Sequence, residues 1–370
     1  MSYKPKIVIL CSSFAPFMSG AEFFIKEVVK GLAGQYDFLV ITARFKRSLP
    51  ELEEVSGCLV RRLGWGLPFG LDKFWFIVAS PFAVLKYKPV IAHGVMESYA
   101  GIALIILRWL NKKIPIILTL QCGDLDHPKK QKKIPGWLWR KIHTTPDYIT
   151  AISNFLAKRA ERLRGRARNI LVIPNGFDSR EVPPKGKVMD GRVVCVARLS
   201  WEKGIDYLIA ALPEIRRQFP SAHLVLAGDG PEKEKLRSLA KRLNIQEAVQ
   251  FKGFLPHEQA LKEMSRATVF VCPSLAEGLG NVFLEVQACG TPVVGTNIGG
   301  IPDIIQNGFN GFLISPKSSQ AIVGAVVKIF NEPALARRFA QNAKATVRKF
   351  AWPNVVGQID ELYRKILDQA

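Results

Sequence analysis

Cysteine is sparse in this sequence, no two cysteines form a C-x-x-C pair, and no apolar run is long enough to cross a bilayer. The six thiols are Cys11, Cys58, Cys122, Cys195, Cys272 and Cys289, and most lie inside apolar runs such as V-V-C195-V-A. That placement suits buried, reduced thiols in the cytoplasm and makes a metal-binding or catalytic cysteine the lesser reading. The N-terminus, M-S-Y-K-P-K-I-V-I-L-C, breaks off at Ser12 and Ser13, so it reads as a first strand and not as a secretory leader. The stretches Phe74 to Leu85 and Tyr99 to Leu107 fall short of the ~20 residues that a membrane-spanning helix needs. Short repeats and low-complexity segments are also lacking.

Acidic residues are the scarcer charge: 31 Asp and Glu against 52 Lys and Arg give a formal net charge of +21. The excess is concentrated at the front, where residues 1 to 183 hold 28 basic and 14 acidic side chains. Such a protein attracts polyanions, which here means nucleic acid, an anionic membrane surface or a phosphorylated small molecule. No zinc-finger spacing, RNP-like aromatic motif or basic zipper is present, so nucleic acid is the weakest of the three.

At 370 residues the chain is sized for two domains. β-Branched runs alternate with helical patterns along both halves, the mark of an α/β protein with parallel sheets. Expected strands in the first half are Ile7 to Cys11, Phe38 to Thr42, Cys58 to Arg62, Val90 to His93, Ile116 to Leu120, Tyr148 to Ile152 and Ile170 to Ile173. In the second half they are Val193 to Ala197, His223 to Ala227, Val249 to Phe251, Val269 to Cys272, Pro292 to Gly295 and Gly311 to Ile314. Pro183, Pro184 and Gly186 mark a linker. The expected division is therefore a domain over 1–182 and another over 183–354. Ligands of open α/β sheets collect beyond the carboxyl ends of the strands, and two such sheets facing each other would enclose a cleft.

Several strand-to-helix turns in the second half carry groups suited to a phosphorylated sugar. The segment E277-G-L-G-N-V-F-L-E285 places Glu277 on a loop and Glu285 on a helix that starts near Asn281. Gly278 and Gly280 let a ligand approach the first-turn amides, which carry partial positive charge. Glutamates accept hydrogen bonds from hydroxyls, as a sugar ring or a ribose requires. Taken alone, two glutamates at this spacing are ordinary surface residues. In V-A-R198-L-S-W-E-K203-G204, Arg198 follows a strand and Lys203 is expected in the first turn of the next helix. A cation there opposes the helix dipole, whereas a diphosphate would account for it. A-G228-D-G230-P231 is expected to open another helix with proline at its first position. G299-G300-I-P-D303 supplies a further flexible loop.

In this order, and together with P16-F-M-S-G20-A-E22, A-I-S153-N, I-P-N175-G176-F-D178 and N-G-F-N-G311, these motifs resemble the retaining glycosyltransferases of family four over nearly the whole length. The resemblance implies the GT-B architecture: two facing Rossmann-like domains, the first taking the acceptor and the second a UDP- or GDP-sugar. It also implies roles. Arg198 and Lys203 would hold the diphosphate, with the Gly20 loop approaching from the other domain. Glu285 would take the ribose, Glu277 the transferred hexose, and the backbone at Gly253, Phe254 and Leu255 the base. Gly278, Leu279, Gly280 and Asn281 would line the donor site, and a final helix over 355–370 would pack back on the first domain. No metal cofactor is expected, because the cations stabilise the leaving group. The incoming hydroxyl would attack from the face that the diphosphate leaves, giving its proton to a phosphate oxygen.

The chain departs from the family pattern at T119-L-Q121-C-G-D124, where many relatives carry histidine in place of Gln121. An amide binds a hydroxyl but does not titrate near neutral pH. Gln121, Asp124 and Asn175 are the candidates on the acceptor side, and His93, at a strand end, is a candidate catalytic residue. Asp124, Asp126 and His127 together could also hold a divalent ion, which is the lesser reading. The basic run Lys129 to Lys133, continuing through Trp137 and Trp139, joins the apolar stretch Phe69 to Leu85 in pointing to a peripheral site on the cytoplasmic face of a membrane. A glycan or glycolipid acceptor is expected. The alternatives are a nucleic-acid-binding protein and a nucleotide-sugar epimerase of the same architecture.

Overall fold

The computed structural model describes residues 4–67, 71–121, 134–165 and 169–369. Internal contacts divide the chain into two compact units: Met1–Gly176 with Trp352–Ala370, and Phe177–Ala351. The break falls six residues before the expected one. Phe177 donates its amide to the Phe350 carbonyl at 3.1 Å and bridges Ala351, so the incoming and outgoing segments run side by side there. Pro183 and Pro184 lie beyond that break, inside the second unit.

The first unit begins β1 (Lys6–Leu10), α1 (Gly20–Leu32), β2 (Asp37–Ala43), β3 (Leu52–Val55), β4 (Cys58–Leu63), α2 (Leu71–Tyr87), β5 (Ile91–Val95) and α3 (Tyr99–Leu110). It continues with β6 (Ile116–Leu120), α4 (Gly136–Thr144), β7 (Tyr148–Ala151), α5 (Asn154–Arg164) and β8 (Ile170–Val172). The strands form one sheet in the order β3-β4-β2-β1-β5-β6-β7-β8, parallel except for β3. The sequence expectation has no β3, because L-E-E-V is charged, short and half exposed. What makes it a strand is the two-residue turn at Ser56 and Gly57, both at positive φ, which folds it back on β4 as an edge hairpin.

The second unit runs β9 (Arg192–Val196), α6 (Ile205–Gln218), β10 (His223–Ala227), α7 (Lys233–Arg242), β11 (Val249–Gly253), α8 (His257–Ser265), β12 (Val269–Cys272) and α9 (Asn281–Ala288). β13 (Val293–Thr296), α10 (Ile301–Ile304), β14 (Phe312–Ile314), α11 (Ser319–Asn331) and α12 (Pro333–Val347) complete it. Its strands are all parallel, in the order β11-β10-β9-β12-β13-β14. Counted from β9 this is the doubly wound order 3-2-1-4-5-6, whose direction reverses between β9 and β12. The loops after those two strands carry Arg198, Lys203 and Glu277.

The last helix, α13 (Trp352–Leu367), belongs to the first unit. Val355, Val356, Ile359, Leu362, Tyr363 and Ile366 recur at helical spacing and are buried in the core with Ile7, Phe24, Ile25 and Val28. Each such side chain contributes about 1.5–3 kcal/mol on burial. Gly31 of α1 permits the contact, since a Cβ there would stand 2.6 Å from Val356 Cγ1.

Candidate active site

The candidate site in the second unit is assembled by loops that glycine allows to interlock. Lys203 does not sit in the first turn of α6, as expected. It ends a short 3-10 turn, Trp201–Lys203, and α6 starts at Ile205 after Gly204 in the left-handed conformation. Any Cβ at Gly204 would lie 2.3 Å from the Pro273 carbonyl oxygen. The Glu202 carbonyl accepts the Leu275 amide at 2.6 Å, so the loops after β9 and β12 are stitched together. Gly299, at φ 54°, comes so close to the Glu277 carbonyl oxygen that a Cβ would be 1.9 Å away, which brings in the loop after β13.

This packing sets Lys203 Nζ 2.5 Å from Glu277 Oε2. The two side chains are 21% and 17% exposed, so their attraction is screened far less than that of an open surface pair. Burial by itself would depress the Lys203 ammonium; the Glu277 carboxylate outweighs it and holds the ammonium above its usual range. Arg198, two residues beyond β9, is exposed and has no side-chain partner among the described residues. Gly280, at φ 92°, opens α9 without a side-chain cap. The Asn281 Oδ1 beside it is buried without a hydrogen-bond partner. Gly278 and Leu279 are buried beneath the loop. The site thus offers a free guanidinium, a paired ammonium and carboxylate, uncapped helix amides and an orphaned acceptor.

Glu285 lies on α9 as expected, and the structure adds a residue that pattern reading missed. His257 Nε2 is 3.2 Å from Glu285 Oε1, and its Nδ1 is 3.1 Å from Glu181 Oε2. No sequence signal flags this, because the three residues come from α8, α9 and the segment after Phe177. Gly253 ends β11, and Phe254, 80% exposed, and Leu255 lead from it to His257. Pro231 does not open α7: it stands in a turn, and the helix begins at Lys233.

The Glu285 contact raises the His257 pKa, with Glu181 adding to it. A raised folded-state pKa means that this contribution to stability is fully present below the unfolded value, ~6.5, and is lost as pH rises through the folded one. The melting temperature of His257→Gln should therefore fall below wild type in acid and converge with it at alkaline pH. Thermal scans across pH 5 to 9 check this.

In the first unit, His93 is corrected as a catalytic candidate. It is 1% exposed, with Nδ1 2.7 Å from Tyr363 Oη and Nε2 2.6 Å from Thr119 Oγ1. Burial lowers its pKa to about 3, so it is a neutral core residue that ties α13 to the sheet. Gln121 and Asn175 form a reciprocal amide pair, each donating to the other at 2.9 Å, at the carboxyl end of the sheet. Gly20 is the first residue of α1, whose entry is fixed by buried Glu22 accepting from Ser13 Oγ, Ser19 Oγ and the Ser19 amide. Glu97, which the pattern also missed, follows β5, is buried and pairs with Arg159. Asp124, the Asp126–His127 metal reading and Lys129 to Lys133 lie outside the described residues. The five described cysteines are buried and unpaired.

Two Rossmann-like units, the second with the doubly wound strand order and with Arg198, Lys203 and Glu277 on the loops at its switch point, have the architecture of the GT-B glycosyltransferases. The chain belongs to glycosyltransferase family 4: residues 18–181 match Glycosyltransferase Family 4, and residues 179–346 match Glycosyl transferases group 1. It is 35% identical to an uncharacterized glycosyltransferase of Methanocaldococcus jannaschii over 97% of this chain and 98% of that one. A GDP-mannose-dependent alpha-(1-6)-phosphatidylinositol monomannoside mannosyltransferase of Mycolicibacterium smegmatis is 32% identical over 89% and 90%. Among solved structures, sucrose-phosphate synthase of Thermosynechococcus elongatus superposes with a TM-score of 0.85 at 22% identity, covering 99% and 100% of the two chains.

Proposed function

We propose that this glycosyltransferase moves a hexosyl group from a UDP- or GDP-sugar to a hydroxyl of a glycan or glycolipid acceptor, with retention of anomeric configuration. The observation that carries the reading is the cluster at the switch point of the second unit: unpaired Arg198, paired Lys203 and Glu277, and the open start of α9. As the donor breaks, negative charge grows on the leaving diphosphate. Arg198 presents a planar fork, Lys203 a point charge held in place by Glu277, and α9 its amides. These groups supply the neutralisation for which no divalent metal is then required.

Glu277 accepts from hydroxyls of the transferred sugar and Glu285 from those of the ribose. Asn281 Oδ1, which lacks a donor, takes another hydroxyl. Gly253, Phe254 and Leu255 border the base. With His93 sealed in the core, the acceptor's proton passes to an oxygen of the departing phosphate. Gln121, Asp124 and Asn175 belong to the acceptor side. Proton NMR of the product tests retention: a new linkage of opposite configuration to the donor's contradicts it, and a sugar isomerised without acceptor would favour the epimerase reading.

A membrane-held acceptor is favoured by one face of the first unit. Leu71, Phe74, Trp75, Val78 and Phe82 follow helical spacing along α2, and all are between 41% and 63% exposed. Among the described residues no helix is long and apolar enough to cross a membrane. A cleft of about 690 Å³ against α3 and α4 is lined by Trp109, Lys112 and Lys141, with Arg108 paired to Asp147. An apolar stripe on a chain with net positive charge suits shallow insertion into an anionic leaflet on the cytoplasmic side. The mycolicibacterial relative is named for a lipid acceptor, phosphatidylinositol monomannoside. Each buried aromatic ring contributes about 1.5–3 kcal/mol, so Phe74→Asp with Phe82→Asp should lower the partition onto anionic vesicles at least ~100-fold in sedimentation. Equal sedimentation of variant and wild type contradicts the membrane assignment.

A further inference from the structure

The central sheet of the second unit has a cleft at its opposite edge as well. At the amino ends of β9, β12 and β13 a cavity of about 610 Å³ opens between residues 185–190 and helices α11 and α12. Val188, Ile329, Phe330 and Ala340 give it an apolar lining. Lys185, Arg337 and Lys344 stand around it, against a single acid, Asp190. Gly290 leaves room for Lys344 to fold across the opening: a Cβ there would lie 2.9 Å from Lys344 Cε.

None of these three cations pairs with a carboxylate among the described residues. Lys185 Nζ meets only neutral acceptors, Thr291 Oγ1 at 2.5 Å and the Ala267 carbonyl at 3.3 Å. Burial of that ammonium pulls its pKa down to about 8, as expected of a cation lacking a counter-charge. The volume falls in the usual range for small-ligand sites, about 300–1,000 Å³, and an apolar wall with a few convergent polar groups is their usual make-up.

We infer that this cleft binds an amphipathic anion: a phosphate or carboxylate head held by Lys185, Arg337 and Lys344, with an apolar chain against Val188, Ile329 and Phe330. It is separate from the donor site. Arg198 and Glu277 follow the carboxyl ends of β9 and β12, and five residues of strand span ~15 Å. Donor and amphiphile can therefore be held together.

Calorimetric titration of the full chain with n-octyl phosphate below its micelle concentration tests the site. One saturable event per chain is expected, with n-octanol and inorganic phosphate each binding at least ~10-fold more weakly because each lacks half of the interaction. Ala340→Trp, which fills the cleft, and Lys344→Glu, which reverses a charge on an exposed side chain, should each weaken n-octyl phosphate at least ~10-fold, and Arg198→Ala should leave it unchanged. Should Ala340→Trp fail to fold, Lys344→Glu still decides. No saturable binding, wild-type affinity in Lys344→Glu, or loss of binding in Arg198→Ala overturns the assignment.

Discussion

Replacing Glu277 by alanine should reduce sugar transfer at least ~100-fold while the protein still folds. Two effects combine. On the proposed roles, the carboxylate that would accept from the transferred hexose disappears, and the Lys203 ammonium loses the partner that fixes it 2.5 Å away. A lysine freed in this way gains rotamers, and the diphosphate then meets a cation that must be ordered during the reaction. The fold should survive, because Glu277 lies on a loop held by backbone contacts to Glu202, Gly299 and Gly300, which the substitution leaves in place. Glu277→Gln keeps an acceptor but not the charge, so it should lie between alanine and wild type. Turnover assays with melting curves on both variants check the order; alanine activity equal to wild type would remove Glu277 from the machinery.

Lys203→Ala should weaken binding of the cognate nucleoside diphosphate by ~10- to 100-fold, equivalent to about 1.5–3 kcal/mol for a charge-assisted hydrogen bond. The loss has two sources here as well. A cation facing the diphosphate is removed, and Glu277, no longer neutralised, directs a carboxylate toward the same phosphates. The second source is measurable on its own. In the Lys203→Ala/Glu277→Ala double variant the repulsion is gone, so affinity for the nucleoside diphosphate should partly recover relative to Lys203→Ala. Calorimetry on the three variants gives the coupling. Strictly additive losses would mean that the pair does not act as a unit at the phosphates.

Much of this architecture was legible because β-branched runs and helical periodicity are local signals. The six strands of the second unit were all expected, with ends within two residues of those observed. β3 was not, since its pairing comes from a turn and an edge position rather than from apolar alternation. The candidate donor residues were legible for a related reason: glycine-rich strand-to-helix turns concentrate them in short segments, and Glu277 and Glu285 flank one helix start. What escaped was long-range. That Lys203 pairs with Glu277 depends on Gly204 fitting against Pro273, and that His257 meets Glu285 depends on α8 and α9 lying side by side. His93 was misjudged for the converse reason. The sequence pattern puts it at the end of its strand, whereas it lies in the middle of β5 and is closed in by α13, whose Tyr363 is 270 residues further along. The crossing point at Phe177 was likewise set by a partner in the distant Phe350–Ala351 segment, whereas the prolines that suggested a linker only stiffen the start of the second unit.

The most direct measurement is calorimetric titration of UDP and of GDP into the wild-type chain and into Arg198→Ala, whose side chain is exposed and has no partner to lose among the described residues. The account predicts that one nucleotide binds the wild type in a single saturable event and binds the variant at least ~10-fold more weakly, with the melting temperature unchanged. If neither nucleotide binds, or the one that does binds Arg198→Ala equally well, the grip on an activated sugar at the β9–β12 switch point is contradicted.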